Sequence, residues 1–219
     1  MNGPYRTLLQ ESLRSMDIPY EAVQLDQLQV YIAEIELFNP VYKLVAAQKE
    51  ELVIRHILDS LAAYPTIKAL CDMVKPCEIA DLGSGAGLPG IPLAIMLSEC
   101  PFSLVERMGR RVDFLGNALV RTNLTDRVKI IDCDLRQVRQ QFSIVTFRAF
   151  HPLVDILDLV APILRDDVYV CAYKAGVAQV EMELQEVQNV CKSSWKSEFV
   201  TLKVPHLDAK RSLCLLQKN

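Results

Sequence analysis

The stretch Ile79-Ala-Asp-Leu-Gly-Ser-Gly-Ala-Gly-Leu-Pro-Gly-Ile91 decides the fold of this chain. Apolar residues from Cys77 to Leu82 predict a short strand, and a second apolar run from about Gly90 to Leu97 predicts a helix. Three alternating glycines lie between them: Gly83, Gly85 and Gly87. Glycines let the backbone turn tightly and let a ligand approach without meeting a Cβ atom. Because ligands bind outside the carboxyl ends of the strands in an open α/β sheet, this loop predicts a binding site.

Strand and helix patterns alternate without a break from this stretch toward the C-terminus. The further strand candidates are Phe102–Val105, Val128–Ile131, Phe142–Phe147 and Val168–Tyr173. The further helix candidates are Arg110–Arg121, a short helix near Leu135, Pro152–Leu164 and Val177–Val190. This alternation predicts a parallel sheet with helices on both faces. Two closing extended segments, Glu198–Val204 and Ser212–Gln217, favour an antiparallel hairpin at one edge, with one reversed edge strand.

Toward the N-terminus the pattern is helical. Apolar residues at helical spacing predict one helix over Glu21–Phe38, which Asn39-Pro40 is expected to end. A second amphipathic helix is predicted over Gln48–Tyr64, with Pro65 ending it. We therefore expect a helical extension over residues 1–75 and a ligand-binding core over residues 76–219.

Two cofactors compete for the glycine loop. Gly85-Ala-Gly-Leu-Pro-Gly90 matches the GxGxxG pattern of dinucleotide sites, and Glu106 stands about twenty residues further on, where such sites place a ribose-binding acid. Asp81, at the strand end, would repel a pyrophosphate. The same carboxylate suits a cation, and S-adenosylmethionine carries an ammonium and a sulfonium group. The loop and its setting therefore favour S-adenosylmethionine.

Two acids follow the next strands. Glu106 ends its strand, where it could accept both ribose hydroxyls; the alternative is a solvated acid at a strand end. Asp134 follows the third strand, where it could face an adenine ring. It could also cap the short helix that starts at Leu135, and the two roles are compatible.

Composition narrows the class of protein. The chain has 219 residues and a net charge of −3, so electrostatic binding of nucleic acid would need a local basic patch. Seven cysteines include no CxxC pair and three histidines show no metal-ligand spacing, which predicts reduced, buried thiols and no metal site. There is no apolar run long enough to span a bilayer and no signal-peptide pattern, so we expect a cytoplasmic protein without a membrane partner.

Several segments resemble one known family, the glucose-inhibited division protein B family of small-subunit (16S) ribosomal RNA guanine-N7 methyltransferases. The most specific are Arg55-His-Ile-Leu-Asp-Ser-Leu61 and the Gly87-Leu-Pro-Gly-Ile-Pro92 extension of the glycine loop. The other matching segments are Phe38-Asn39, Tyr42-Lys43-Leu44, Arg110-Arg111-Val112, Phe114-Leu115, Arg148-Ala149-Phe150, Tyr173-Lys174, Val204-Pro-His-Leu-Asp208 and Arg211. Together they run through most of the chain in the family's order.

The resemblance implies a Rossmann-like class I methyltransferase with a seven-stranded sheet, S-adenosylmethionine as the methyl donor and ribosomal RNA or its assembling particle as partner. It implies that Gly83 and Leu88 line the donor site, that Glu106 meets the ribose, and that Leu135-Arg136 abuts the adenine. Arg148 is implied at the mouth of the site. The family usually has Arg-Ala-Glu where this chain has Asp134-Leu135-Arg136, and Asn where it has Lys43.

Guanine N7 has an in-plane lone pair and no proton, so its methylation needs no general base, only orientation. Accordingly no residue is assigned as catalytic; Arg148 and Lys174 are expected to position the acceptor. The RNA-binding candidates are Arg55, His56, Arg110, Arg111, Lys174 and Arg211. Arg110, Arg111, Arg148, Lys174 and Arg211 are expected to surround the mouth of the pocket.

Plainer alternatives stay open for several of these residues. Arg55 could pair with Asp59 within one helix while His56 packs against the core, and Lys174 could be an ordinary strand-end lysine. A methyltransferase for a protein or small molecule, or a non-catalytic RNA- or nucleotide-binding protein, would share the same fold.

Overall fold

The computed structural model describes residues 3–219 and, within them, every side chain except those at 166, 167, 178 and 179. Seven strands form one sheet in the order β3-β2-β1-β4-β5-β7-β6. The strands are β1 Ile79–Leu82, β2 Phe102–Glu106, β3 Val128–Asp132, β4 Phe142–Arg148, β5 Leu164–Lys174, β6 Trp195–Leu202 and β7 Arg211–Lys218. β1 to β5 pair in parallel, whereas β7 runs antiparallel to both β5 and β6. The predicted α/β, mostly parallel sheet and its closing hairpin are confirmed.

The sequence predicts that the reversed strand lies at the edge of the sheet, and this prediction is wrong. β7 lies between β5 and β6, and its residues Leu213, Cys214 and Leu216 are fully buried. β6 is the edge strand and runs parallel to β1 to β5. The crossover that leads to β6 skips one position in the sheet, and the hairpin then folds β7 back into that position.

Nine α-helices surround the sheet in the part of the chain that the structure describes. They are α1 Arg6–Ser15, α2 Ala22–Tyr42, α3 Lys49–Leu52, α4 Asp59–Leu61, α5 Tyr64–Met73, α6 Gly90–Met96, α7 Gly109–Arg121, α8 Leu153–Val160 and α9 Val177–Val190. A π-helical turn, Val53–Leu58, joins α3 to α4, and 3-10 turns cover Leu135–Gln137 and Ala161–Ile163. Within residues 3–219, none of the helices has the length and apolar character that a bilayer crossing requires.

Both predicted proline breaks in the N-terminal region are wrong. Pro40 lies inside α2, which ends only at Lys43, a residue in the left-handed conformation. The Asn39 side chain fixes the backbone that follows this helix: its Oδ1 accepts from the Val45 N–H, and its Nδ2 donates to the Val45 carbonyl. Pro65 lies in the first turn of α5 instead of ending the preceding helix. Proline is tolerated there because the N–H groups of the first turn have no partner within the helix.

The N-terminal helices are packed into the core. Side chains from α1, α2 and α5 share one apolar cluster with α6, α7 and one face of the sheet, Leu13, Tyr31 and Ile91 among them. Tyr31 also donates a hydrogen bond of 2.6 Å from its hydroxyl to the carbonyl of Ala86 in the glycine loop. The helical region therefore supports the loop directly, while the division into residues 1–75 and 76–219 stays a prediction.

Candidate functional site

Two adjoining cavities open at the carboxyl ends of the strands. One, the loop cavity, has a volume of about 590 Å³ and includes Gly83 and Glu106 in its lining. The other, the arginine cavity, has a volume of about 620 Å³ and includes Arg148 and Arg211. Both are lined by the segment that follows β4, residues 149–151. Two ligands, one bound in each cavity, would therefore be separated only by these few residues.

Phe150 forms the centre of that wall. Its ring lies so close to the glycine loop that a Cβ atom on Gly83 would be 2.1 Å from the ring. Its neighbour Ala149 has a φ of 49°, which non-glycine residues seldom adopt. The exit from β4 is thus bent so that an aromatic ring covers the first glycine of the loop.

The glycine loop has the left-handed backbone that its sequence predicts. The φ angles of Gly83, Gly85 and Gly87 are +62°, +59° and +87°, and L side chains rarely adopt such values. A Cβ built on Gly85 would meet only the Gly83 carbonyl oxygen, at 3.8 Å. The space beside Gly85 is therefore open, whereas a Cβ on Gly87 would collide with Ile91.

Asp81 lies beneath the loop and is fully buried, outside the linings of both cavities. Its Oδ2 accepts a hydrogen bond of 3.0 Å from the Gly90 backbone N–H, which starts α6. Its Oδ1 has no hydrogen-bond partner among residues 3–219. Burial raises the pKa of Asp81 to about 7, although the hydrogen bond from Gly90 acts in the opposite direction. Its charge is thus a weaker argument against pyrophosphate than the sequence suggests.

Glu106 is buried rather than solvated, so the plainer alternative for this acid is wrong. Its carboxylate accepts hydrogen bonds of 2.9 Å from the backbone N–H groups of Gly85, Arg107 and Met108. A carboxylate has about four acceptor positions, so about one is left for a ligand. The carboxylate fixes the loop to the end of β2, and its contact with a ribose stays a prediction.

Asp134 caps the 3-10 turn that begins at Leu135. Its Oδ1 accepts from the Arg136 backbone N–H at 3.1 Å, and its Oδ2 accepts from Arg107 at 3.3 Å. Asp134, Leu135 and Arg136 all line the loop cavity together with Gly83 and Glu106. The capping role is confirmed, and the segment lies where an adenine contact was expected, although that contact stays a prediction.

The arginine cavity is organised by the buried carboxylate of Asp59. Oδ2 accepts from Nη1 of Arg148 at 2.9 Å, and Oδ1 accepts from Nε of Arg211 at 2.8 Å. The local Arg55–Asp59 pair considered from the sequence is wrong, because Arg55 pairs with Glu51 at 2.8 Å. The Arg55 side chain is exposed, whereas Asp59 is buried against the two arginines of the cavity.

His56 lies partly buried beside this ion pair. Burial lowers its pKa to about 4, and the charges of Arg148 and Arg55 act in the same direction. The imidazole is therefore neutral at pH 7. Nη2 of Arg148 lies 3.1 Å from Nδ1, so this nitrogen is the acceptor and Nε2 carries the hydrogen. His56 lines the arginine cavity and is a hydrogen-bond partner as well as a packing residue.

Lys174 is not an ordinary exposed strand-end lysine. Its Nζ lies 2.6 Å from Oε2 of Glu183, which also accepts a hydrogen bond of 3.1 Å from the Leu153 backbone N–H at the start of α8. Sequence reasoning missed Glu183, because it is one of several acids on α9. Phe150 had a sequence signal, its place after Arg148-Ala149, but its role as a shared wall needed the fold.

Of the five basic groups expected around the mouth of the donor pocket, one lines the loop cavity and three line the adjoining arginine cavity. Arg148, Lys174 and Arg211 line the arginine cavity, and Arg111 lines the loop cavity, 3.7 Å from Glu106. Arg110 is exposed and lines neither cavity. Neighbouring residues on a helix point about 100° apart, so Arg110 and Arg111 cannot both face the site. Among the other donor-site predictions, Gly85, Gly87 and Leu88 lie outside both linings, and Arg148 belongs to the arginine cavity alone.

Comparison with known sequences gives one consistent result. A model of the family described as rRNA small subunit methyltransferase G matches residues 24–214. A ribosomal RNA small subunit methyltransferase G from Psychrobacter sp. is 31% identical over 216 residues, covering 97% of this chain and 91% of the relative. One from Polynucleobacter asymbioticus is 33% identical over 217 residues, covering 95% and 94%.

Solved structures share the fold. A putative O-methyltransferase from Klebsiella pneumoniae superposes with a TM-score of 0.60 at 13% identity, covering 99% of this chain and 97% of that one. A putative S-adenosylmethionine-dependent methyltransferase from Methanococcus maripaludis gives 0.59 at 12% identity, covering 86% and 92%. At such identities the likeness concerns the fold alone, and it confirms the expected Rossmann-like class I methyltransferase architecture.

Proposed function

Because the chain belongs to the rRNA small subunit methyltransferase G family, we propose that it methylates N7 of a guanine in small-subunit ribosomal RNA, in the cytoplasm, with S-adenosylmethionine as donor. The observation that carries this proposal is the pair of cavities that meet at Phe150. One is built from the glycine loop and the other from paired cations, as a nucleotide donor and a nucleic-acid acceptor would each require.

The loop cavity fits the donor. Bound there, S-adenosylmethionine supplies a methyl group made electrophilic by its sulfonium. Glu106 and the segment Asp134–Arg136 would hold its ribose and adenine ends, and the open space beside Gly85 leaves the backbone accessible.

The arginine cavity fits a guanine. The O6 atom of this base is an acceptor that the guanidinium groups of Arg148 and Arg211 can bind, which leaves the single in-plane lone pair of N7 free to attack the methyl group. Nε2 of neutral His56 is a further donor that carries no charge. Side chains cannot reach N7 in the deep major groove of paired RNA, so the base would enter unpaired or flipped out.

Proton transfer is not required of these residues. N7 attacks through a lone pair, and both carboxylates that line the arginine cavity are engaged in ion pairs, Asp59 with two arginines and Glu183 with Lys174. The protein's contribution is then to hold the base in line and to exclude water. Arg148 and Lys174 are the proposed positioning residues.

The same carboxylates suit the charge of the product. Methylation at N7 leaves a cationic purine, and three unpaired cations in the cavity would oppose it. Asp59 and Glu183 offset most of the charge of Arg148, Lys174 and Arg211, leaving a small positive excess for the phosphate backbone. The exposed Arg55, Arg110 and Arg111 would add contacts to RNA, so binding should weaken as salt concentration rises.

The test uses small-subunit ribosomal RNA, free and in particles, from cells that lack this protein. The purified chain and the methyl donor should introduce one new N7-methylguanosine, located by borohydride reduction and aniline cleavage at the modified base. Methylation at another atom would contradict the guanine-N7 proposal. Incorporation into ribosomal protein or a small molecule, with none in RNA, would favour the alternative acceptors.

A further inference from the structure

The fold brings together three cysteines that are far apart in the sequence. The sulfur atoms of Cys71, Cys77 and Cys100 all lie within 4.8 Å of one another. Cys71 is on α5, Cys77 lies two residues before β1, and Cys100 lies two residues before β2. The cysteine spacing in the sequence, without any CxxC pair, predicts no metal site. However, the adjacent parallel strands β1 and β2 begin at the same end of the sheet, and α5 packs at that end.

The spacing of these sulfur atoms is close to that of a thiolate metal centre. Zinc–sulfur bonds are about 2.3 Å long, so tetrahedral thiolate ligands lie about 3.8 Å apart. Closing the gap from 4.8 Å or less needs sulfur shifts of about 1 Å or less in total. Cys71 and Cys100 are buried, and Cys77 is partly exposed. The three sulfurs thus form one face of a tetrahedron, with room for a fourth ligand.

Charge near the cluster favours bound thiolates. The guanidinium of Arg127 is half-buried, lies near enough to Cys100 to interact with it, and forms no ion pair with any residue that the structure describes. It donates instead to the carbonyls of Ala94 and Leu97 at the end of α6. Three thiolates with one divalent ion carry a net charge of −1, which Arg127 would balance.

A cavity reaches one member of the cluster, Cys100. This cavity of about 230 Å³ is lined by Cys100, Arg127 and Glu99, and it lies at the amino ends of β1 and β2. Water from this cavity can supply the fourth ligand. The site is at the opposite end of the sheet from the loop and arginine cavities, so its role would be structural.

We propose that Cys71, Cys77 and Cys100 bind one zinc ion, which joins α5 to the starts of β1 and β2. Such a link would fasten the N-terminal helices to the sheet. Zinc is favoured because its filled d shell accepts three sulfurs and a water in tetrahedral geometry. The proposal is independent of the methyl-transfer function.

The test compares two serine variants of the full-length chain, purified under reducing conditions. Cys77→Ser removes a proposed ligand. Cys191→Ser is the matched control, since Cys191 is also partly buried but lies outside the cysteine cluster, with its sulfur bonded to the Val154 carbonyl. Wild type and Cys191→Ser should each hold about one zinc per chain. Cys77→Ser should bind zinc about 100-fold more weakly or worse, because even outer-shell partners change metal affinity 10- to 100-fold.

Cobalt(II) and thermal unfolding give readouts that do not depend on activity. Wild type should show a thiolate-to-cobalt charge-transfer band, and its thermal midpoint should rise on adding zinc, both absent in Cys77→Ser. Donor binding should be equal in both variants, which shows that Cys77→Ser is folded. Equal zinc content in Cys77→Ser and wild type would overturn the proposal. So would a metal-free protein in which two of the three cysteines form a disulfide.

Discussion

The loop cavity and the arginine cavity are built on different principles. The acids of the loop cavity, Glu106 and Asp134, are held mainly by backbone N–H groups, and all of these except the Gly85 N–H lie within two residues of the acid. The acids of the arginine cavity, Asp59 and Glu183, are held by side-chain cations from distant elements. A site held by backbone depends on local conformation, whereas a site held by ion pairs depends on the whole fold. Substitutions in the two cavities should therefore affect different properties of the protein.

The largest expected effect is at the glycine loop beside the loop cavity. Gly85→Val should abolish binding of S-adenosylmethionine, because a β-branched residue resists a φ of +59° and would shift the backbone N–H that bonds Glu106, a lining residue of the cavity. Calorimetric titration measures this. Gly116→Ala, a glycine in the middle of α7, is the control and should bind normally. Wild-type binding of NAD without any response to the methyl donor would contradict the assignment of the loop.

The next effect is in the arginine cavity. Arg148→Glu should reduce methyl transfer by about 100- to 1000-fold while donor binding persists, since a lost positioning donor has effects of this size. The matched reversal Lys218→Glu, near the C-terminus, should leave the rate nearly unchanged. Circular dichroism checks that both variants are folded. An unchanged rate in Arg148→Glu would remove the physical basis of the RNA acceptor.

The ion pairs themselves are tested by stability. Asp59→Asn should lower the free energy of unfolding by about 2–4 kcal/mol, because it leaves two partly buried arginines without their carboxylate. Glu51→Gln breaks the exposed pair with Arg55 and should cost less than about 0.5 kcal/mol. Urea denaturation of both variants measures the difference. Equal losses would mean that the arginine cavity is no more dependent on charge than the protein surface.

The two regions should also respond to pH with opposite signs. The pKa of His56 is about 4 in the folded chain against an ordinary 6.5, so the unfolded chain binds more protons between these values. The free energy of unfolding therefore rises with pH across this window. The pKa of Asp81 is about 7 against an ordinary 3.8, so the folded chain binds more protons and stability falls as pH rises from 3.8 to 7.

Single substitutions should separate the two contributions. In His56→Gln the free energy of unfolding should fall as pH rises between about 4.5 and 6.5, and in Asp81→Asn it should rise, in each case by at most about 1.4 kcal/mol per pH unit. Wild type should be flatter than either. Asparagine at 81 can still accept the hydrogen bond that starts α6. Urea denaturation at several pH values measures the slopes, and identical slopes in the two variants would refute the assigned pKa shifts.

Much of the loop cavity could be predicted from the sequence because each of its parts has a signal in residues that are adjacent in the chain. The three glycines, Glu106 at the end of β2 and the Asp134 cap are each recognisable from a few adjacent residues. The prediction erred where a local signal was overridden by packing, as at Pro40 and Pro65. The sequence also assigns Asp81 to the donor site, which stays a prediction; the structure places its carboxylate beneath the loop, where it caps α6.

The arginine cavity could be predicted only as a collection of basic residues. Asp59 bonds Arg148 across 89 positions of sequence and Arg211 across 152. No local pattern reports such a pairing, and the i, i+4 spacing of Arg55 and Asp59 suggests a different partner for the carboxylate. The same is true of the contact between Lys174 and Glu183.

The sequence by itself determined the alternation of strands and helices, the glycine loop and the family, because each depends on propensities and motifs within short segments. Only the tertiary structure decided the insertion of β7 between β5 and β6, the partners of the buried charges, and the meeting of Cys71, Cys77 and Cys100. The physical reason is that burial and charge pairing are set by which surfaces the sheet brings together, and residues far apart in the chain share the outcome.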